Sequence, residues 1–245
     1  MRMDGPSSGG GKHRGVRCKA AALIGAMLRA DATPFVVTTA LRSSAELVAW
    51  IRAEGLELCG FDFGGTLLDF EPIHVRSFLL TLDIVDRVAE RRVRHIVRAS
   101  LHEGKDSVEM AWRIIRALSL DADPVQVAVE KRAFVEVLTA RLILDADIVR
   151  AIVAVSEIAE IAVITRGTVQ STSGILRRSL PAHIFNEMQV VGREFLSGRL
   201  DKCRLLADAI TSRPVCRAGY VGDSDEDKRI AEDAGIPFFM FRPFC

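Results

Sequence analysis

Short apolar runs alternate along this chain with polar and glycine-rich breaks, and the alternation has a repeating form. LELCGFD, beginning at Leu56, is an apolar run that stops at an acidic residue, Asp62, and passes into the turn GGT. Such a pattern predicts a strand followed by a loop. It recurs in EIAVITRGT, where the strand ends at Thr165, and in RAGYVGDSDED, where it ends at Asp223; helical spacing follows each. Repeated strand, loop and helix units predict a parallel sheet covered by helices on both faces, an α/β three-layer, Rossmann-like core.

Between Asp69 and Glu157 the period changes. Apolar residues three and four apart predict helices near 73–82, 84–99, 106–118, 125–142 and 147–156, with no strand among them. Residues 70–156 are therefore expected to form an all-helical cap inserted into a core made of 56–69 and 157–245. Pro124, following Asp121 and Asp123, marks a helix start. His102-Glu103-Gly104 reads as a connection between two helices. Upstream, the Gly/Ser-rich residues 1–14 predict a disordered tail. Residues 15–55 predict a βα-type extension, with helical spacing from Val16 to Leu28, a strand in PFVVTTA and a helix in SSAELVAWIRAEG.

Composition narrows the function classes. Lys and Arg number 33 against 32 Asp and Glu, a net charge of +1, so the excess of basic side chains that holds a phosphate backbone is missing and no nucleic-acid partner is expected. The local bias over residues 1–33, six basic against two acidic side chains, does not change that. No apolar run approaches the ~18 residues that span a bilayer, so no membrane partner is expected either. AAALIGAMLRA is short and carries Arg29, a poor fit to a secretory signal. Five cysteines without a CxxC spacing suggest neither disulfides nor a zinc site, which points to a cytoplasmic setting.

In an open parallel sheet, ligands gather beyond the carboxyl ends of the strands. The residues there are Asp62, Thr165 and Asp223. Carboxylates, a hydroxyl and a glycine-rich turn at one edge offer hard oxygen ligands to a divalent cation and backbone N–H groups to an anion, which suits phosphate with Mg²⁺.

FDFGGTLLDFEPIH resembles the first motif of the haloacid dehalogenase-like superfamily, whose phosphatase branches read hhhDxDGTLxDxEPxH. The match runs through Asp62, Gly65, Thr66, Leu67, Asp69, Glu71, Pro72 and His74. The later motifs follow in the family order: a strand ending in Thr165, a basic residue opening a helix at Lys202, and GYVGDSDED with Asp223 and Asp227. The resemblance covers residues 56–245. It implies a Mg²⁺-dependent phosphohydrolase or phosphotransferase acting on a small phosphorylated metabolite. Asp62 is then the nucleophile that forms an aspartyl-phosphate, Thr165 donates to the phosphoryl group, and Lys202 (or, failing it, Arg199) neutralises charge. Asp62, the backbone carbonyl of Gly64 and Asp223 hold the metal, with Asp227 orienting that shell. Gly65, Thr66 and Arg166 are implied to contact substrate. So are His102 and Lys105, in a cap loop, SLHEGKDS, that falls where related caps place a specificity loop.

One position departs from the motif. Two residues after the nucleophile the family usually has an acid/base aspartate, and here it has Gly64. A glycine cannot protonate a leaving group or activate water, work typically contributing ~10²–10⁴-fold. The departure admits two other readings: cleavage of a carbon–phosphorus bond with Lys105 as an imine former, or a degenerate protein that only binds a phosphorylated ligand or a protein partner. Taken alone, Lys105 and His102 read as solvated loop residues, His74 as a hydrogen-bonded helix histidine, and Cys59 as packing.

Overall fold

The computed structural model describes residues 44–192, 202–212 and 217–244. Residues 1–43, which carry the expected tail and the first helix and strand of the extension, lie outside this set, as does Arg199.

Five strands, β1 (Leu58–Asp62), β2 (Glu160–Ile164), β3 (Gln189–Val191), β4 (Ala218–Gly222) and β5 (Phe238–Met240), form one parallel sheet in the order β3-β2-β1-β4-β5. Every residue of β1 and β4 is buried, as expected for central strands covered on both faces. The order reverses between β1 and β4. Asp62 pairs with Ile164, and Phe61 with Val221, so Thr165 and Asp223 each stand one residue beyond the level of Asp62.

Ten helices are described: α1 (Ser44–Glu54), α2 (Glu71–Thr81), α3 (Arg87–His102), α4 (Ser107–Leu118), α5 (Pro124–Thr139), α6 (Ala146–Ser156), α7 (Val169–Ser179), α8 (Ala182–Glu187), α9 (Lys202–Thr211) and α10 (Asp225–Asp233). α3 to α6 each start at an aspartate, Asp86, Asp106, Asp123 or Asp145, whose carboxylate accepts from backbone N–H groups of the first turn. Capping by Asp86 on Ala89 N, at 2.7 Å, sets the start of α3 three residues later than the apolar spacing suggests. His102 closes α3 instead of lying in the connection that follows.

The packing falls into three apolar clusters. Two cover the faces of the sheet. The third belongs to α2–α5 and is built from Val75, Phe78, Val93, Val97, Met110, Ala111, Ile114 and Val127. α6, which the sequence pattern groups with the insertion, buries Ile148, Ile152 and Val155 in the same cluster as Leu47 and Ile51 of α1, against the sheet. Its apolar face is matched to the sheet layer, so the helices with a core of their own are α2 to α5. α2 joins the two regions, with Ile73 in the sheet cluster and Val75 and Phe78 in the other.

Candidate active site

The parallel register brings Asp62 and Asp223 to the same end of neighbouring strands, and the turns beside them are shaped to let the two approach. Gly65 adopts φ +89°, and a Cβ there would lie 2.5 Å from Asp223 Oδ2, so only glycine fits the turn. Gly65 N donates to Leu68 O at 2.9 Å, and the backbone N–H groups of Leu67 and Leu68 both donate to Phe63 O, which folds the loop back on itself. Thr66 Oγ1 donates to Asp223 Oδ1 at 3.1 Å. Asp62, Asp223 and Asp227 each bring a carboxylate oxygen within 4.8 Å of the others.

Lys202, the first described residue of α9, is buried among them. Its Nζ lies 2.8 Å from Asp62 Oδ1 and 2.5 Å from Asp227 Oδ1. Asp227 is bound on both oxygens: Oδ1 takes Lys202 and the Tyr220 hydroxyl at 3.4 Å, while Oδ2 takes Ser224 N at 3.2 Å and Ser224 Oγ. Ser224 Oγ in turn accepts from Asp227 N, completing a capping box at the start of α10. A Cβ on Gly222 would strike Asp227 Cβ at 2.4 Å, so this close seating also depends on glycine. Asp227 is thereby committed to orienting Lys202. Asp62 and Asp223 each keep one carboxylate oxygen without a protein partner among the described contacts.

Burial pushes the Asp62 carboxyl up to about 7, with the Lys202 ammonium opposing it and the Asp227 charge adding to it. Burial also raises Asp223, helped by the Asp227 charge and opposed by the Thr66 hydrogen bond. For Lys202, desolvation favours the neutral amine, but the carboxylates of Asp62 and Asp227 outweigh it and hold the group above its ordinary value. Tyr220 is held protonated by burial and by the same two carboxylates. Three carboxylates sharing one ammonium leave the pocket rich in negative charge. Such a set accepts a hard divalent cation, whose charge favours ionised carboxylates.

Thr165 is buried at the carboxyl end of β2, its Oγ1 accepting from Gly167 N at 2.9 Å. Arg166 is exposed and pairs with Glu226 in the first turn of α10. Gly64 is exposed, and a Cβ there would meet Phe70 Cδ2 at 3.4 Å, an ordinary contact. His102, at the end of α3, and Lys105, on the connection to α4, are exposed beside a Glu103–Arg113 ion pair of 2.7 Å, and no described contact joins them to the carboxylates. Residues not singled out in the sequence also serve the site: Tyr220 and Ser224 hold Asp227, and Arg242 Nε donates to Asp223 O at 2.8 Å. Ser224 could have been read from its place as an N-cap three residues before Asp227. Arg242 carries no local signal.

No family model matches the chain, and no curated protein matches it. Solved structures do. The HAD-hydrolase candidate YfnB of Bacillus subtilis, solved bound to magnesium, aligns with a TM-score of 0.56 at 17% identity over 75% of this chain and 87% of its own. A haloacid dehalogenase-like family hydrolase from Streptococcus pneumoniae aligns with a TM-score of 0.53 at 16% identity over 76% and 84%. A predicted phosphoglycolate phosphatase from Haemophilus somnus aligns with a TM-score of 0.56 at 18% identity over 75% and 84%. At these identities the likeness is one of fold: the chain has the α/β fold of the haloacid dehalogenase-like hydrolases. No helix among the described residues is long and apolar enough to cross a membrane.

Proposed function

We propose that this protein is a Mg²⁺-dependent phosphohydrolase or phosphotransferase that acts on a small phosphorylated metabolite through an aspartyl-phosphate at Asp62. The observation that carries the reading is the seating of Lys202 Nζ, 2.8 Å from Asp62 Oδ1, in a pocket that also holds Asp223. A carboxylate nucleophile needs its charge and its aim, and the ammonium supports both. The likeness in fold to magnesium-bound and phosphatase-type proteins points the same way.

Asp62 and Asp223 would hold the cation, with the Gly64 carbonyl beside them, and Asp227 would keep Lys202 in place. When bound, Mg²⁺ supplies charge that offsets the phosphoryl oxygens. The chain supplies the rest. Asp62 attacks phosphorus in line with the leaving oxygen, Lys202 and Thr165 steady the phosphoryl oxygens, and Thr66 fixes the free rotation of Asp223. Arg166, at the rim, adds a cation toward an anionic substrate, in exchange with Glu226.

The test is a panel of phosphorylated metabolites assayed for phosphate release with Mg²⁺, alongside mass spectrometry of acid-quenched protein. Turnover that vanishes in Asp62→Asn, with a phosphoryl adduct on Asp62 in the unsubstituted protein, supports the reading. Turnover that survives Asp62→Asn overturns it.

A further inference from the structure

A lysine is buried between the cap helices without a carboxylate partner among the described residues. Lys131, on α5, is 2% exposed. Its Nζ lies 2.6 Å from His74 Nδ1 on α2, 2.9 Å from Ser107 Oγ at the start of α4, and 4.5 Å from the centroid of the Phe78 ring. One ring nitrogen, one hydroxyl and one aromatic face occupy the three N–H directions of the ammonium. None of them neutralises its charge. Burial accordingly lowers Lys131 to about 8. Burial and the neighbouring ammonium push His74 down to about 3, so the imidazole is neutral.

An ammonium can only donate, so Nδ1 of His74 is the acceptor and the ring proton sits on Nε2. No group among the described residues takes that proton. The nitrogen is not sealed away either, because the fully buried side-chain atoms lacking a partner are Ser100 Oγ and Gln189 Oε1. A fixed N–H donor without a partner among the described residues is therefore left on α2, at an atom that is not fully buried.

Its place relative to the carboxylates follows from a run of rings. The His74 ring is 6.3 Å from that of Phe70, and Phe70 is 5.8 Å from Phe63, the neighbour of Asp62. A Cβ on Gly64 would point onto Phe70 at 3.4 Å. The Phe70 ring is thus the shared neighbour of His74 and of a side chain placed at position 64.

Resting on the phosphoryl-transfer reading above, we propose that His74 gives and takes the proton that Gly64 cannot, with Lys131 as the positioning residue that fixes its tautomer and replaces its proton. As the bond from phosphorus to the leaving oxygen breaks, the electron pair stays on that oxygen. The Nε2 proton passes to it while one Nζ proton of Lys131 moves to Nδ1. Lys131 is then a neutral amine, and the imidazole is neutral in its other tautomer. In the second half, water attacks phosphorus and releases the Asp62 carboxylate. The water proton goes to Nε2 and the Nδ1 proton returns to Lys131, restoring the starting state. Burial without a counter-charge is what lets an amine take part in such a cycle near neutral pH.

The test measures phosphoenzyme formation at Asp62, with Mg²⁺ and a series of aryl phosphates running from p-nitrophenyl phosphate to phenyl phosphate, in the unsubstituted protein, His74→Gln, Lys131→Met and Lys131→Arg. A nitrophenolate leaves without help, so its rate should change little, whereas the phenyl phosphate rate should fall about 100-fold in all three variants, within the ~10²–10⁴-fold range of acid catalysis. Lys131→Arg is the decisive variant, since a guanidinium keeps the charge but does not release its proton. An equal loss across the series, or Lys131→Arg behaving like the unsubstituted protein, overturns the inference. No adduct on Asp62 of the unsubstituted protein from any donor, acetyl phosphate included, overturns the phosphoryl-transfer reading and this inference with it. If the Lys131 variants fail to fold, His74→Gln alone decides, by a loss that grows along the series or one that does not.

Discussion

Lys202 and Asp227 meet at 2.5 Å in the interior of the protein, and the same ammonium reaches Asp62 at 2.8 Å. One cation thereby serves two buried carboxylates, one at the end of β1 and one in the first turn of α10. Removing it leaves both charges without a counter-charge, the situation in which a buried pair costs most.

Lys202→Met should therefore destabilise the fold by ~3–5 kcal/mol at neutral pH, and raise the Asp62 carboxyl above its already elevated value of about 7. Urea unfolding monitored by far-UV circular dichroism checks the first effect. A loss below about 1 kcal/mol would mean that water reaches these carboxylates and that the ammonium is not their main support.

Gly65 and Gly64 should respond oppositely to a methyl group. Gly65→Ala places a Cβ 2.5 Å from Asp223 Oδ2 at φ +89°, so Asp223 must move and Mg²⁺ affinity should drop at least tenfold. Gly64→Ala meets only Phe70 at 3.4 Å and should leave that affinity unchanged. Calorimetric titration with Mg²⁺ separates the two. By the same reasoning Gly64→Asp fits, and it should raise turnover and restore activity to His74→Gln.

Mg²⁺ should stabilise the folded protein by mass action. At about 100 times its dissociation constant the gain is ~2.7 kcal/mol, or roughly 5–10 °C in melting temperature for a chain of this size. Asp223→Asn should lose that shift. A shift of equal size in Asp223→Asn would remove this residue from the ligand set.

Lys131 gives a pH dependence whose sign is fixed. Its folded value of about 8 lies below the unfolded one, so between the two the native state binds fewer protons and stability rises with pH. His74, neutral throughout that window, does not interfere. The unsubstituted protein should therefore gain about 3 kcal/mol of stability relative to Lys131→Met from pH 7.5 to 10.5. A difference that stays flat would show that the ammonium is solvated.

Strand ends were the legible part of this chain. Asp62, Thr165 and Asp223 each close an apolar run, and a parallel sheet must bring such ends together, so the place of the candidate site could be inferred without coordinates. β3 and β5 could not be inferred, because three-residue strands have too few positions to show a period. The pairs across the fold were equally hidden. Lys131 and His74 are 57 positions apart, and a lysine in AVEKRAF looks solvated. A faint signal did exist: Val127, Lys131 and Phe134 fall at i, i+4 and i+7, on the buried face of α5. Asp227 was readable as part of an acidic turn, but its full engagement by Lys202, Ser224 and Tyr220 depends on tertiary geometry that local sequence does not carry.

The contact between Thr66 and Asp223 spans 157 positions of chain. A nascent polypeptide leaving the ribosome exposes the loop after Asp62 long before its counterpart exists. Until β4 has emerged and slotted in beside β1, Asp62 has neither Asp223 nor the Lys202–Asp227 pair near it and is an ordinary carboxylate. On the proposed function, metal binding and phosphoryl transfer would both wait for β4, and a chain cut before β4 should show neither.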